Sequence, residues 1–344
     1  MYLQGLANTV PSQSFTQKDC WDIFIKSETS KRLKQRSINI IQKVLLGDSG
    51  IDKRHFALAE LEKLFELDAE SLNRAFEREA PILAGKSFDK ALTMANLKAK
   101  EIDALFVCTC TGYLCPGISS HVAEQKGLRS DLFLQDIVGL GCGAAIPTIR
   151  SASHFLSANP KSNVAVIAVE ICSAAFYLED DPGVLISACL FGDGASTSIW
   201  STDEKQTGLF CYNFDTLHLP ENRNKLRFEN NQGKLRNRLH NSIPKLASNV
   251  VSKLFHRQNS KNNKVGQIIS HTGGREVIKA IESKLPDYSL SESAKILRKY
   301  GNMSSPSVLF ALEEYLKNNN GDRDLWLTTF GAGFSCHSCS IRQM

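Results

Sequence analysis

Between residues 103 and 200, short buried runs alternate with helical segments, and this alternation most limits what the chain can fold into. Ala104-Leu105-Phe106-Val107-Cys108, Leu132 to Val138, Val164 to Val169 and Ala195 to Trp200 read as strands. Ser119 to Lys126, Ile146 to Leu156 and Gly183 to Leu190 read as the helices between them. Strands joined by helices imply an α/β fold with a mainly parallel sheet covered on both faces. Such sheets hold ligands beyond the C-terminal ends of their strands.

At one such end stands Gly139-Leu140-Gly141-Cys142-Gly143-Ala144-Ala145. The glycines let the backbone turn sharply and let another group come close. Cys142 falls at a strand-to-helix corner, where unpaired N–H groups and the helix dipole favour a thiolate, the nucleophilic form. Any other of the ten cysteines reads first as a small buried side chain.

The second half repeats the grammar more loosely. Leu209 to Phe214, Gln267 to Ser270, Leu325 to Thr329 and Ser335 to Ile341 read as strands. Ile243 to Phe255, Arg275 to Lys284, Glu292 to Lys299 and Ser304 to Lys317 read as helices. Residues 218–242 are polar and basic, a loop or a hairpin. Cys110-Thr111-Gly112 after one strand echoes His271-Thr272-Gly273 after another, which points to an internal duplication. The polar stretch Ser201 to Thr207 then separates two units, 1–201 and 202–344. The opening third reads as helical and chemically quiet: one helix over 17–46, a second over 55–66, and a long one from Asp68 or Ser71 to about Leu97, interrupted near Pro81. Residues 259–264 and 318–323 read as solvated turns.

Composition removes several function classes. With 344 residues, 42% of them hydrophobic, the chain has ample core. A net charge of +5 is mild and scattered; it suits a phosphate-bearing small ligand rather than nucleic acid. No run approaches the ~18 apolar residues of a membrane span. The N-terminus lacks the order of a secretion signal, so the cysteines read as reduced thiols in a cytoplasmic protein. Cys336-His337-Ser338-Cys339 has metal-type spacing, and Cys108, Cys110 and Cys115 lie close together. A structural zinc site needs four ligands in matched pairs, and in a strand Cys336 and Cys339 face opposite sides. No metal site is expected.

His271 ends the strand Ile268-Ile269-Ser270 and precedes Gly273-Gly274; Asn302 sits in Tyr300-Gly301-Asn302-Met303-Ser304-Ser305 at a helix entry. Alone, each reads as a structural histidine or a turn residue. With Cys142 they form a Cys/His/Asn set, a recognised nucleophile pattern.

These stretches, with Leu190-Phe191-Gly192-Asp193-Gly194 and Phe330-Gly331-Ala332-Gly333-Phe334, resemble the thiolase superfamily. The chain looks most like the type III polyketide synthases, the chalcone-synthase-like enzymes, in order from about residue 45 to the C-terminus. The resemblance implies a five-layered αβαβα fold of two similar halves, a homodimer, and substrates that are an acyl-CoA starter and malonyl-CoA, with no cofactor. It implies that the Cys142 thiolate, ion-paired with His271, takes the starter acyl group, and that His271 and Asn302 hold the enolate left by decarboxylation of malonyl-CoA. Phe191 is then a gatekeeper, Cys110, Cys115 and Ala175 lie beside the growing chain, and Gly273, Gly274, Arg275, Gly331 and Gly333 complete the substrate contacts.

Three departures from the plant enzymes matter. Their CoA-gripping basic residues are not matched in Gln42 to Ser49, which leaves Arg54 or Arg275 for that part. Asn237 stands in place of a second gatekeeper phenylalanine, and Cys110 and Cys115 in place of Thr and Met. Small side chains around the nucleophile imply a roomy apolar pocket, an aliphatic starter and an alkylpyrone- or alkylresorcinol-type product or another aromatic polyketide. The rivals are a single-condensation enzyme like β-ketoacyl-acyl-carrier-protein synthase III and a non-catalytic acyl-binding scaffold. Met303 after Asn302 and Thr109-Cys110-Thr111-Gly112 favour the polyketide synthase, and the intact triad opposes the scaffold.

Overall fold

The computed structural model describes residues 1–344 except 59, 205–207, 260–264 and 319–323, and all but the side chain of Glu62 elsewhere. Residues 205–207 of the expected linker and most of the two expected solvated turns therefore lie outside the described residues.

The chain opens on β1 (Tyr2–Thr9) and β2 (Ser14–Thr16), then α1 (Gln17–Lys26), α2 (Glu28–Arg32) and α3 (Gln35–Leu46). β3 (Lys53–His55) pairs with β2, and α4 (Leu61–Leu64) and α5 (Ala69–Ala95) follow. Next come β4 (Ala104–Cys108), α6 (Ile118–Lys126), β5 (Phe133–Ile137), α7 (Ala145–Ala158), β6 (Val164–Glu170), α8 (Pro182–Leu190) and β7 (Gly194–Ser201). The second half runs β8 (Leu209–His218), the hairpin β9 (Leu226–Asn231) and β10 (Lys234–Leu239), α9 (Ile243–Gln258), β11 (Gln267–Ser270), α10 (Arg275–Lys284), α11 (Ser291–Tyr300), α12 (Ser307–Asn318), β12 (Leu325–Gly331) and β13 (Ser335–Gln343).

Nine strands form one sheet in the order β11-β12-β13-β8-β1-β7-β6-β4-β5. Only β5/β4, β4/β6 and β11/β12 are parallel. The sheet is therefore mixed, not mainly parallel. One cause is local: the turn between β12 and β13 is too short for a crossover, so those strands must run antiparallel. The other is β1, which the sequence pattern left unassigned and which inserts antiparallel between β7 and β8. The relative directions along β4-β6-β7-β1 repeat along β11-β12-β13-β8.

Alternation along the strands builds the layers. In β4, Leu105 and Val107 pack with Phe88 and Ala91 of α5, while Ala104, Phe106 and Cys108 pack with Ile149 of α7 and Leu309 of α12. In β12, Leu325 and Leu327 face the same middle layer, and Trp326 faces Leu254 of α9 and Ile281 of α10. The two arms of the sheet, β1-β7-β6-β4-β5 and β11-β12-β13-β8, meet among the described residues only at the pair Tyr2–Phe210 and flank α7 and α12, so the layers run helix, sheet, helix, sheet, helix. Cys336 joins the outer cluster and Cys339 the middle one, so the two sulfurs point to opposite faces of β13.

The opening third differs from the periodicity. Residues 17–46 form three helices, because Ser27 ends α1 and its hydroxyl caps α2. The expected helix over 55–66 is β3 followed by the single turn α4. α5 is capped by Asp68 and runs through Pro81 without interruption to Asn96, which caps it in the left-handed conformation.

β1 crosses α5 at Gly5, where an added Cβ would lie 2.7 Å from the Ala91 carbonyl oxygen and 2.9 Å from the Ala95 nitrogen. Neither backbone atom can yield. Gly5→Val is expected to destabilise the protein by about 1–3 kcal/mol, the usual range for overpacking; denaturant unfolding with an unchanged midpoint would contradict this packing.

Candidate active site

A cavity of about 620 Å³ opens beside α3 and runs inward to Cys142, His271 and Asn302. Its walls are largely apolar, among them Leu190, Leu239, Ile243 and Phe330, and Lys43 and Arg275 stand toward its outer end.

Each of the three residues arrives on a different element. Cys142 lies in the 3₁₀ turn Gly141–Gly143 between β5 and α7, with Gly139 and Gly141 at positive φ. The end of β12 braces this turn: the Thr329 hydroxyl donates to the Gly143 carbonyl at 2.8 Å. His271 follows β11, its N–H donating to the Thr328 carbonyl at 2.9 Å and its ring edge-on to Phe330 with centroids 5.1 Å apart. Asn302 follows α11. Its N–H donates to the Leu190 carbonyl at 2.9 Å, and its carbonyl accepts from Gly192 at 3.0 Å. Asn302 and Phe191 are thus paired backbone to backbone. The Asn302 side chain donates to the Gly273 carbonyl at 3.0 Å and accepts from the Ser304 N–H at 2.8 Å.

Ser304 joins the set. Its hydroxyl donates to Cys142 Sγ at 3.2 Å and lies 3.1 Å from Cys110 Sγ. Below it Glu170, wholly buried at the end of β6, accepts from the Cys110 and Thr111 N–H groups, the Thr109 and Thr111 hydroxyls, and the Ser305 hydroxyl at 2.5 Å. Sequence reasoning missed both roles. The signal for Glu170 was its charge at the end of an apolar buried strand, where an acid must be paired or hydrogen-bonded.

Burial pushes the Cys142 thiol up to about 12, against the hydrogen bond from Ser304. Burial pushes the His271 imidazole down to about 3, against a hydrogen bond with the Ser304 backbone. His271 Nδ1 is buried with no hydrogen-bond partner among the described residues. An ion pair between the two has to offset both desolvation penalties through its own attraction, which is strong only at short range in this dry site.

Beyond Phe191 and Asn237, which line both spaces, lies an inner chamber. Cys110, Ala175 and Ser304 line it as well, but Phe176, Tyr177, Phe228 and Leu235 fill it to about 30 Å³ of free space. The roomy pocket expected from the sequence is therefore not present. The small residues beside the nucleophile are there, and aromatic side chains from elsewhere occupy the volume. Gly273, Gly274 and Arg275 line the outer cavity as expected. Cys115 is exposed and lines neither space. Gly331 and Gly333 also stay outside: Gly331 backs the Cys142 turn, and Gly333 packs on His218. Arg54 is buried, donating to Gln17 Oε1 at 2.9 Å and to the Ala188 and Phe191 carbonyls at 2.6 and 2.9 Å. It holds the end of α8 and cannot reach a ligand at the mouth. Arg275 is half-exposed but paired with Asp48 at 2.5 Å.

Residues 10–217 match the FAE1/type III polyketide synthase-like family, and residues 217–341 the chalcone and stilbene synthase C-terminal domain. The chain belongs to the type III polyketide synthases. It is an acyltransferase with the thiolase-like fold of that family. It is 26% identical to a 3,5-dihydroxyphenylacetyl-CoA synthase of Amycolatopsis orientalis, over 98% of this chain and 92% of that one. It is 26% identical to a phloroglucinol synthase of Pseudomonas fluorescens, over 86% of this chain and 87% of that one. The fold matches the 1,3,6,8-tetrahydroxynaphthalene synthase of Streptomyces coelicolor with a TM-score of 0.86, at 22% identity over the whole of both chains. It matches PKS-I of the brown alga Ectocarpus siliculosus with a TM-score of 0.89, at 21% identity over 99% and 98%. Among the described residues no helix is long and apolar enough to cross a membrane.

A Cβ on Gly331 would lie 2.5 Å from the Gly143 nitrogen and 3.0 Å from the Cys142 nitrogen. Gly331→Ala is therefore expected to displace the Cys142 turn and, with Cys142 as the acyl carrier expected from sequence, to slow acylation about a hundredfold, the effect of misplacing a reacting group by about 1 Å. Acyl transfer at the wild-type rate, followed by intact-protein mass, would contradict this.

Proposed function

We propose that this enzyme loads a small acyl group from its CoA thioester onto Cys142 and extends it with malonyl-CoA to a short aromatic polyketide. The supporting observation is the joint arrangement: Cys142, His271 and Asn302 on one apolar cavity, ending at a nearly filled chamber. The outer cavity has the size and lining to take a pantetheine arm, and the chamber has no volume for a long alkyl chain. A short starter therefore replaces the aliphatic one expected from sequence. The relatives named as phloroglucinol and dihydroxyphenylacetyl-CoA synthases bear names of small aromatic products, which supports the same assignment.

The residues supply each step. His271 accepts the Cys142 proton, and the sulfur attacks the thioester carbonyl carbon. The tetrahedral adduct collapses, and the CoA sulfur leaves with the proton from the imidazolium. Malonyl-CoA then loses carbon dioxide. The electron pair of the broken bond becomes an enolate, whose oxygen accepts hydrogen bonds from the His271 ring and the Asn302 amide. One such donor is worth about 3 kcal/mol. The enolate carbon attacks the acyl carbonyl and the Cys142 thiolate leaves, so the lengthened chain stands on CoA; Cys142 then attacks that new thioester, expels the CoA thiolate and holds the chain for the next round. This chemistry requires no metal or redox cofactor. The ten free thiols fit a reducing cytoplasm. Exposed Phe133, Leu134 and Val138 on or beside the edge strand β5 fit a homodimer that covers this edge.

A starter panel with mass spectrometry of products tests the assignment. Short acyl-CoA starters are expected to give the highest kcat/KM, and malonyl-CoA to serve where malonyl-carrier protein does not. A fatty acyl-CoA that outruns every short starter would overturn the chamber argument, and strict dependence on carrier protein would favour the single-condensation enzyme.

Burial, and after it the Glu170 charge, raise the Cys142 thiol, and without a proton acceptor only the Ser304 hydrogen bond and a backbone N–H counter that rise. His271→Gln is expected to slow alkylation of Cys142 by iodoacetamide at pH 7 by about a hundredfold, the low end for general-base catalysis, and to move the alkylation profile to higher pH. An unchanged profile would remove His271 from thiol activation. Cys142→Ala is expected to abolish both covalent loading and product.

A further inference from the structure

The inner chamber has two walls on different elements. α8 and its C-cap supply Val184, Ser187, Ala188 and Phe191; the β9–β10 hairpin supplies Phe228, Leu235 and Asn237. The hairpin is a separate two-stranded sheet, and an isolated ribbon of this kind is marginal by itself. Something else must set its distance from α8.

The alternation of β9 and β10 shows what does. Phe228, Leu235 and Asn237 turn into the chamber, and their neighbours Glu229, Arg236 and Arg238 turn away from it. The two arginines meet the chain just before α8, and Glu229 pairs with both of them. Arg236 Nη2 lies 3.1 Å from Asp181 Oδ2, its Nε 2.6 Å from Glu179 Oε1, and its Nη1 3.5 Å from Glu229 Oε1. Arg238 reaches Asp181 at 3.5 Å and Glu229 at 2.7 Å. The other oxygen of Asp181, Oδ1, accepts from the Gly183 and Val184 N–H groups at 2.9 and 3.3 Å and caps α8. One carboxylate thus anchors both walls. On the inner side, the Asn237 amide donates to the Ser187 hydroxyl at 2.7 Å. Arg236 and Asp181 keep 22% and 23% of their side-chain surface exposed, so the pair is partly desolvated yet still within reach of screening ions.

We propose that Arg236 and Asp181 form an ionic clamp that sets the width of the inner chamber, and with it the length of the polyketide the enzyme makes. This rests on the activity proposed above. Neither residue lines the chamber; both act as positioning residues through Asn237, Leu235 and α8. Relaxing the clamp lets the hairpin move out from α8 and widens the space beside Phe228.

The test compares wild type with Arg236→Gln, Arg236→Lys and Asp181→Asn, all on the full chain. Asparagine still caps a helix, so Asp181→Asn removes the charge and keeps the cap. Covalent loading of Cys142 by a short acyl-CoA, read by intact mass, is expected to stay within about twofold of wild type. The product series is expected to lengthen by at least one malonyl unit in Arg236→Gln and Asp181→Asn. The kcat/KM ratio of a starter one methylene longer to its shorter homologue is expected to rise about tenfold, the low end of what a methylene decides in an apolar pocket. Arg236→Lys keeps the charge but not the fork, and is expected to fall between. High salt is expected to lengthen the products of wild type and to leave those of Arg236→Gln unchanged. Normal loading with an unaltered product series in both neutral variants would overturn the clamp alone. If Arg236→Gln does not fold, Asp181→Asn and the salt series on wild type decide it. A wild-type enzyme that never acylates Cys142 would overturn the proposed activity, and the clamp with it.

Discussion

The backbone pairing of residues 190–192 with Asn302 is the contact on which the site depends. Cys142 and Phe191 come from the first half of the chain, and His271 and Asn302 from the second. Two N–H to carbonyl bonds tie the end of α8 to the turn after α11 and so set Phe191 and the Asn302 amide in one frame. Close packing around the pairing removes its freedom. Gly301 has positive φ, and a Cβ there would lie 2.7 Å from the Leu190 carbonyl oxygen; Arg54 fills the other side, its guanidinium on the Ala188 and Phe191 carbonyls. A basic residue that looked available for a charged ligand is consumed in holding this joint.

Around that joint, polar groups are buried in connected sets. Glu170 gathers donors from the turn after β4 and from Ser305, which brings Cys110, Thr111 and the Asn302 turn to one point. Asp193 does the same nearby, accepting from Ala57 and Ser173. Burial pushes its carboxyl up to about 6, against those bonds and the nearby Arg54 charge, which favour its charged form. Such sets specify geometry because leaving any member unpaired is costly. They explain how a site assembled from five separate segments keeps a common shape.

The chamber shows how specificity and chemistry are divided. Cys142 and His271 sit at turns that follow strands of the main sheet, which fixes them. One wall of the inner chamber comes from the hairpin β9–β10, which lies outside that sheet. Variation in the hairpin changes volume without disturbing the nucleophile.

The three residues that the structure brings to one cavity were legible in the sequence, since Gly-Cys-Gly, His-Thr-Gly-Gly and Gly-Asn-Met-Ser-Ser are local signatures: each needs a turn of defined backbone geometry beside one polar side chain. The strand-and-helix alternation from 103 onward was legible for the same reason, because period two and period 3.6 are properties of neighbouring residues. β1 was not, although it lies at the centre of the sheet; its eight residues include Gly5, and its place depends on α5 and β7, far along the chain. The fates of Arg54, Cys115, Gly331 and Gly333 were likewise unreadable, because a sequence motif does not say which side of a turn faces a cavity. The free volume at the site was misjudged from sequence because Phe228 and Leu235 lie more than 80 residues from Cys142 and enter the chamber only when the hairpin folds over α8. Local pattern singled out the candidate site residues, and tertiary packing decided how much room they leave, because volume is a property of all the elements that meet at a point.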